Sequence, residues 1–266
     1  HDLVLLYNDV PDLGPYRRRA AHLGAREIVL AEPCLDLAAY VAAARELEHE
    51  CVCFVNSHSE IVVSGWLRLL IAALEDPLAG AAGASGSWAS PLSYNLYQLG
   101  LPGPYARAFA GRRATREAFG DLAGRKRRGA AAHWLHTMGR TARHGLATGR
   151  FPAPHLRTNA FLVDRRRWLA LATAPARTKW DTYRVESGPR SITAQLRAAG
   201  TPPVVVDANG VARRPEDWHR GDVLFQSNQE GLIVADNVTR RYATATPTQR
   251  TALSAWAWGE YARPDG

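Results

Sequence analysis

Short β-rich runs separated by helical ones constrain this chain most. Leu3 to Tyr7 is such a run, closed by Asn8 and Asp9, and Glu27 to Leu30 is the next, after a basic amphipathic stretch from Tyr16 to Leu23. A helical segment from Leu35 to Glu48 leads into Cys51-Val52-Cys53-Phe54-Val55, an uninterrupted apolar run of the kind buried on both faces. Trp66 to Leu74 reads as an amphipathic helix closed by Asp76-Pro77, and Ala79 to Gly83 as a weak strand of small residues. The pattern resumes with a strand from Thr158 to Val163, a helix from Arg165 to Ala172 and a helix-strand pair from Ser191 to Val206. Such alternation predicts a single α/β domain over residues 1–266. Its expected core is a mainly parallel, Rossmann-like open sheet flanked by helices, with a ligand site beyond the carboxyl ends of the strands.

Composition narrows the function classes. Hydrophobic residues make up 46% and charged residues 22%, which excludes a largely disordered chain. The longest apolar runs fall far short of the roughly 18 to 20 residues that span a bilayer. The N-terminus lacks a basic start followed by an apolar stretch, so the expected location is the cytoplasm, with the inner membrane face open as a peripheral site. Cys34, Cys51 and Cys53 form no framework, and reduced, buried thiols are expected. The formal charge of +8 suits phosphate-bearing ligands, anionic lipid or nucleic acid equally. From Arg107 to Arg143 there are ten Arg or Lys against two acids, Glu117 and Asp121. Together with its flanks this forms a basic inserted segment at about 91–150, centred on Arg125-Lys126-Arg127-Arg128, which reads either as a solvated loop or as a contact for an anionic membrane or phosphorylated acceptor. No motif that places aromatics or helices on bases is present, so no nucleic acid is expected.

Three stretches resemble the family 2 glycosyltransferases of the A-type fold. The first is Phe54-Val55-Asn56-Ser57-His58-Ser59-Glu60, a strand running into a polar turn ahead of Gly65-Trp66-Leu67. The second is Arg157-Thr158-Asn159-Ala160-Phe161-Leu162-Val163-Asp164-Arg165-Arg166, and the third Val185-Glu186-Ser187-Gly188 followed by Thr193 to Gly200. A narrower similarity links Gly83 to Trp88, Pro154 to Phe161 and Val234-Ala235-Asp236-Asn237 to a bacterial subgroup described as glycosyltransferase-like. The family carries an Asp-x-Asp motif at the first strand end, where its carboxylates hold a divalent cation against the donor diphosphate. Here Asn56, Ser57 and His58 stand in its place.

The resemblance implies a transferase that moves a sugar from a nucleoside diphosphate sugar to a hydroxyl acceptor, whether glycan, lipid-linked or small molecule, with inversion. By the third match Glu186 is the candidate base, with a surface Glu paired to Arg184 or Arg190 as the alternative. Tyr7, Asn8 and Glu32 correspond to base and ribose contacts, and Tyr7 either stacks on a base or sits at the core edge. Asn56, Ser57 and Asn159 complete the donor site. Without the carboxylate pair, the charge of the leaving diphosphate falls to Arg157, His155 and Lys179. A divalent cation, Mn or Mg, remains an option through His58, Asn56, Glu60 and His219, against a plain turn role for His58. Asp236-Asn237 reads as a sugar contact or as turn chemistry. The glycines from Gly80 to Gly86 read as close backbone approach near the substrate. A non-catalytic nucleotide- or glycan-binding protein that keeps the fold is the competing reading.

Overall fold

The computed structural model describes residues 1–122, 130–171 and 178–264. The chain begins with β1 (Val4–Tyr7), α1 (Gly14–Ala20) and β2 (Arg26–Val29), a βαβ unit whose strands pair in parallel. Pro15 suits the first turn of α1, where an N–H has no partner to lose. Gly24, at φ 60°, lets the chain turn from the short 3-10 turn after α1 into β2. Then come α2 (Asp36–Glu46), β3 (Cys51–Val55), β4 (Glu60–Ile61), α3 (Trp66–Leu74), β5 (Ala82–Gly83) and β6 (Gly86–Ser87).

A run of helices follows: α4 (Pro91–Gln98), α5 (Tyr105–Ala108), α6 (Arg112–Leu122) and α7 (Ala130–Ala147). The second half holds β7 (His155–Leu156), β8 (Ala160–Asp164), α8 (Arg165–Ala170), α9 (Lys179–Ser187), α10 (Ile192–Ala198), β9 (Val204–Val206), β10 (Ala212–Arg213), β11 (Val234–Ala235), α11 (Asn237–Ala243) and α12 (Pro247–Trp258).

The central sheet has the order β10-β9-β5-β8-β3. It is mixed rather than mainly parallel: β5 and β9 run parallel, but β8 opposes both β3 and β5, and β10 opposes β9. β1 and β2 form a separate two-stranded sheet, and β4 pairs with β11. The physical reason for the reversed β8 lies in the ladder that precedes it. β6 pairs antiparallel with β7, Ser87 opposite His155, and just beyond it β5 pairs antiparallel with β8. Backbone bonds from Arg157 to Ser85 and from Ala84 to Ala160 bridge the two ladders. Residues 82–87 and 155–164 therefore behave as the arms of one hairpin, and hairpin arms are antiparallel. The helices α4 to α7 are its enlarged connection.

Strand alternation sorts the core onto two faces. Phe161 and Val163 of β8, Val205 of β9, and Val52 and Phe54 of β3 join one apolar cluster with Tyr40, Trp168 and Leu196 from α2, α8 and α10. Ala160, Leu162, Val204 and Val206 join the other, with Leu70 of α3. Helices thus cover both sides of the sheet, the layering that burial on both faces demands.

The basic segment is mostly helical where described, with short turns between its helices, and Arg125 to Arg128 lie outside the described residues. Ser90 caps α4 by accepting from the Ser93 N–H, and Pro91 follows it. α4 packs against α7, and α12 against α6. The Tyr105 hydroxyl donates to the Trp256 carbonyl at 2.6 Å and accepts from the Ser90 N–H at 3.1 Å, tying this segment to the C-terminal helix. Trp218 and Trp258 are buried, each indole N–H bonded to a backbone carbonyl, whereas Tyr261 is exposed. Among the described residues, no helix is long and apolar enough to cross a membrane.

Candidate functional site

The sequence-nominated groups converge where β3 ends and β8 begins. Past Val55 the Asn56 N–H donates to the Asn159 carbonyl at 2.9 Å, holding the strand-end tip against the start of β8. The Asn56 side-chain oxygen accepts from the His58 N–H at 3.1 Å, a local Asx turn that folds the tip back. The Ser59 hydroxyl lies within reach of that same oxygen at 2.9 Å and of the Asn159 carbonyl at 3.0 Å. Beyond the tip, β4 pairs with β11, and Arg240 of α11 reaches the His58 carbonyl at 3.1 Å and Glu60 at 3.4 Å.

Arg157, just ahead of β8, is fixed by three bonds. Its backbone N–H and Nη1 donate to the carbonyl and hydroxyl of Ser85, at 3.0 and 3.2 Å, and its Nη2 meets Asp236 Oδ2 at 2.5 Å. Asp236 is buried and caps α11 with its other oxygen, which accepts from the N–H groups of Val238 and Thr239. Burial alone would raise the Asp236 carboxyl, but Arg157 and these N–H donors outweigh it and hold it below the ordinary value. Ser85 in turn donates to the Asn159 side-chain oxygen at 3.0 Å, while the Asn159 Nδ2 is buried without a protein partner.

Between Arg157 and Asn159, the Thr158 hydroxyl donates to Glu186 Oε1 at 2.5 Å. Glu186 sits in the last turn of α9, a helix opened by a capping box between Thr178 and Asp181. Burial pushes its carboxyl above the ordinary value, and the Thr158 bond and the Arg157 charge offset part of that rise. Glu186 is therefore not the exposed partner of Arg184 or Arg190. The tip after Val55 and the corner carrying Glu186 share one rim, bridged by three consecutive residues, Arg157, Thr158 and Asn159.

The other nominated residues are used differently. Tyr7 is buried, edge-on to Tyr16 with its hydroxyl 3.4 Å from Glu27, so it belongs to the core edge. The Asn8 side chain clamps the backbone of Cys34, accepting its N–H at 3.0 Å and donating to its carbonyl at 2.5 Å. Glu32 and Ser57 are exposed. The His155 Nδ1 bonds to the Ala153 carbonyl at 2.8 Å, and burial lowers its pKa to about 4. Its ring is neutral at neutral pH, and with the Nδ1–H given to Ala153 its Nε2 is an acceptor, so it offers a diphosphate neither a charge nor a donor. Lys179 opens α9, and its side chain lies outside the described residues.

The four residues nominated for a cation are not assembled as a set. Asn56 Oδ1 is bonded within its own turn, Glu60 pairs with Arg240, and the His219 ring packs between Trp88 and Tyr261 at centroid distances of 4.9 and 4.5 Å. Among the described residues, no three His, Cys, Asp or Glu side chains are grouped to hold a metal ion. The glycine run does mark close approach, but toward the core: a Cβ at Gly83 would lie 2.3 Å from Leu156 Cδ1, and one at Gly86 would strike the Trp218 ring at 2.6 Å.

Ser85 and Thr158 enter the site without having been singled out. Thr158 is flanked by nominated residues, and Ser85 lies within the Gly83 to Trp88 stretch that carries the narrower similarity. Asp236 carries a capping signature, Asp-Asn-Val-Thr, but its ion pair spans 79 positions and has no local trace. Two surface cavities, of about 650 Å³ beside Arg112 and Arg116 and about 460 Å³ beside Ile71 and Leu162, lie away from this rim. No protein-family model, curated protein or solved structure matches this chain.

Proposed function

We propose that this rim is a glycosyl-transfer site with Glu186 as its base. The observation that carries the reading is a carboxylate with a raised pKa, held by Thr158 between a fixed guanidinium, Arg157, and the strand-end tip anchored on Asn159. A general base works best when its pKa nears the working pH, which burial favours here. Thr158 engages Oε1, which leaves Oε2 to receive the acceptor hydroxyl proton. The acceptor oxygen then forms its bond to the anomeric carbon as the bond from that carbon to the diphosphate oxygen breaks. The electron pair leaves with the nucleoside diphosphate, and in-line attack inverts the centre. Arg157, whose charge acts on Glu186, stabilises the departing charge.

The test is release of nucleoside diphosphate from a panel of UDP-, GDP- and dTDP-sugars, with and without Mn or Mg. Turnover with at least one donor, lost by 100-fold or more in Glu186→Gln, is the expected result. Absence of turnover across the panel, or full activity of that variant, overturns it. One observation favours the binding-protein reading: the tip has no carboxylate pair, and its own acid, Glu60, is paired with Arg240. Calorimetry with the same nucleotides separates the two, since heat of binding without turnover supports the module.

A further inference from the structure

We propose that Tyr183 on α9 is a stacking surface for the pyranose ring of a glycan acceptor, placed so that one hydroxyl of that ring meets Glu186. The two residues are three apart on one helix, about 60° from each other around its axis and about 4.5 Å along it. Both therefore lie on one side of α9, and the buried Val185 lies nearly opposite Tyr183. Glu186 is engaged by the Thr158 hydroxyl, whereas Tyr183 is 41% exposed. The inference rests on the assignment of Glu186 as the base and adds the class of acceptor to it.

The Tyr183 ring is held in place. Trp180 and His144 meet it edge-on, at centroid distances of 6.1 and 5.8 Å, and they meet each other at 4.9 Å. His144 is buried on α7, and the Arg143 guanidinium of the same helix lies over the Trp180 ring at 6.0 Å. The end of α7 is in turn tied to the end of α9, where the Gly149 N–H donates to the Ser187 carbonyl at 3.3 Å. An aromatic side chain braced in this way loses little conformational freedom when a ligand settles on it. A pyranose has the matching shape, because the C–H groups on its faces suit an aromatic ring and the hydroxyls around its edge suit a polar rim. A simple aliphatic alcohol would give the base its proton but leave the ring uncovered.

Saturation-transfer NMR tests this without turnover, using the methyl β-glycosides of glucose, galactose, mannose and N-acetylglucosamine, with glycerol as the control. The expected result is transfer to at least one glycoside, strongest on the C–H protons of one ring face, and none to glycerol. Transfer should be kept in Y183F and E186Q and fall about fivefold or more in Y183L, which keeps an apolar side chain beside Trp180 but has no aromatic face. Glycoside binding that survives E186Q while the parent shows no turnover marks a failed base and leaves the stacking surface standing. The one-face pattern is read on the parent, so it decides the matter if Y183L fails to fold. No transfer to any glycoside, transfer spread evenly over both faces, equal transfer to glycerol, unaltered transfer in Y183L, or loss in Y183F or E186Q overturns the proposal.

Discussion

The central sheet and the helices of its enlarged hairpin connection bury apolar surface in different ways. Strands β5, β8 and β9 are covered on both faces, and four of the five residues of β8 are buried. Helices α6 and α7 are covered on one side, so α7 keeps a tryptophan, a leucine and a methionine in solvent. The candidate site follows the first pattern. Its polar groups bond to one another at the rim of the packed sheet, where few rearrangements are open to them. The lesson is that rigidity and exposure are allocated to separate parts of the chain: the sheet side can hold a geometry, and the helical side offers a surface.

The contrast breaks most visibly in the core. Phe161, 1% exposed and packed on Tyr40, Phe54 and Trp168, should cost about 3–5 kcal/mol when replaced by alanine. Urea denaturation measures this, and a loss below about 1 kcal/mol would mean that the sheet side is not tightly packed. Asp236→Ala comes next. It leaves the Arg157 charge without its partner and uncaps α11, at a cost of about 3 kcal/mol, toward the lower end for a broken buried pair because Arg157 is partly exposed. Asp236→Asn, which keeps a cap oxygen, should recover part of that loss.

A smaller effect sharpens the comparison through pH. Because the Glu186 carboxyl is raised in the folded protein, ionising it costs the folded state more than the unfolded chain. Its stability contribution is full below the ordinary value of 4.5 and is lost as pH rises through the folded pKa. Glu186→Gln removes that loss. The variant should melt above the parent at pH 7 and level with it at pH 3.5, and a parent that melts higher at pH 7 would contradict a desolvated carboxylate. Smallest of all, Trp134→Ala on α7 should change stability by no more than about 0.5 kcal/mol in either direction. A loss of 2 kcal/mol or more would show that this ring is packed and the two regions less different than they look.

Much of the element order could be read from local pattern. The helix Trp66–Leu74 and the strand Cys51–Val55 lie where periodicity places them, and β1, β2, α2, α8 and α10 differ only at their ends. Strand direction could not be read that way. Thr158 to Val163 carries the apolar run of a buried strand whichever way it points, and its reversal depends on pairing with residues some 80 positions earlier. The helices α6 and α7 show no core-facing stripe in the sequence, because α6 is largely polar and α7 carries Trp134, Leu135 and Met138 on its exposed side. At the site, the residues that converge, Asn56, Arg157, Asn159 and Glu186, lie in the stretches that carry the family resemblance. For Tyr7 the core-edge alternative is the one the structure takes, and local sequence cannot make that choice, because a strand-end residue looks the same whether it faces a ligand, packs at the core edge or, like Asn8, grips a neighbouring backbone.

The pairing of Ser87 with His155 means that the polypeptide leaves the sheet and comes back through a single doorway. Entropy penalises the length of such a detour only weakly. Related chains could therefore carry a detour of different size or charge without rethreading a strand or disturbing Arg157 and Glu186. One condition limits that freedom: whatever replaces the detour must still cover the ground that Tyr105 occupies against the C-terminal helix.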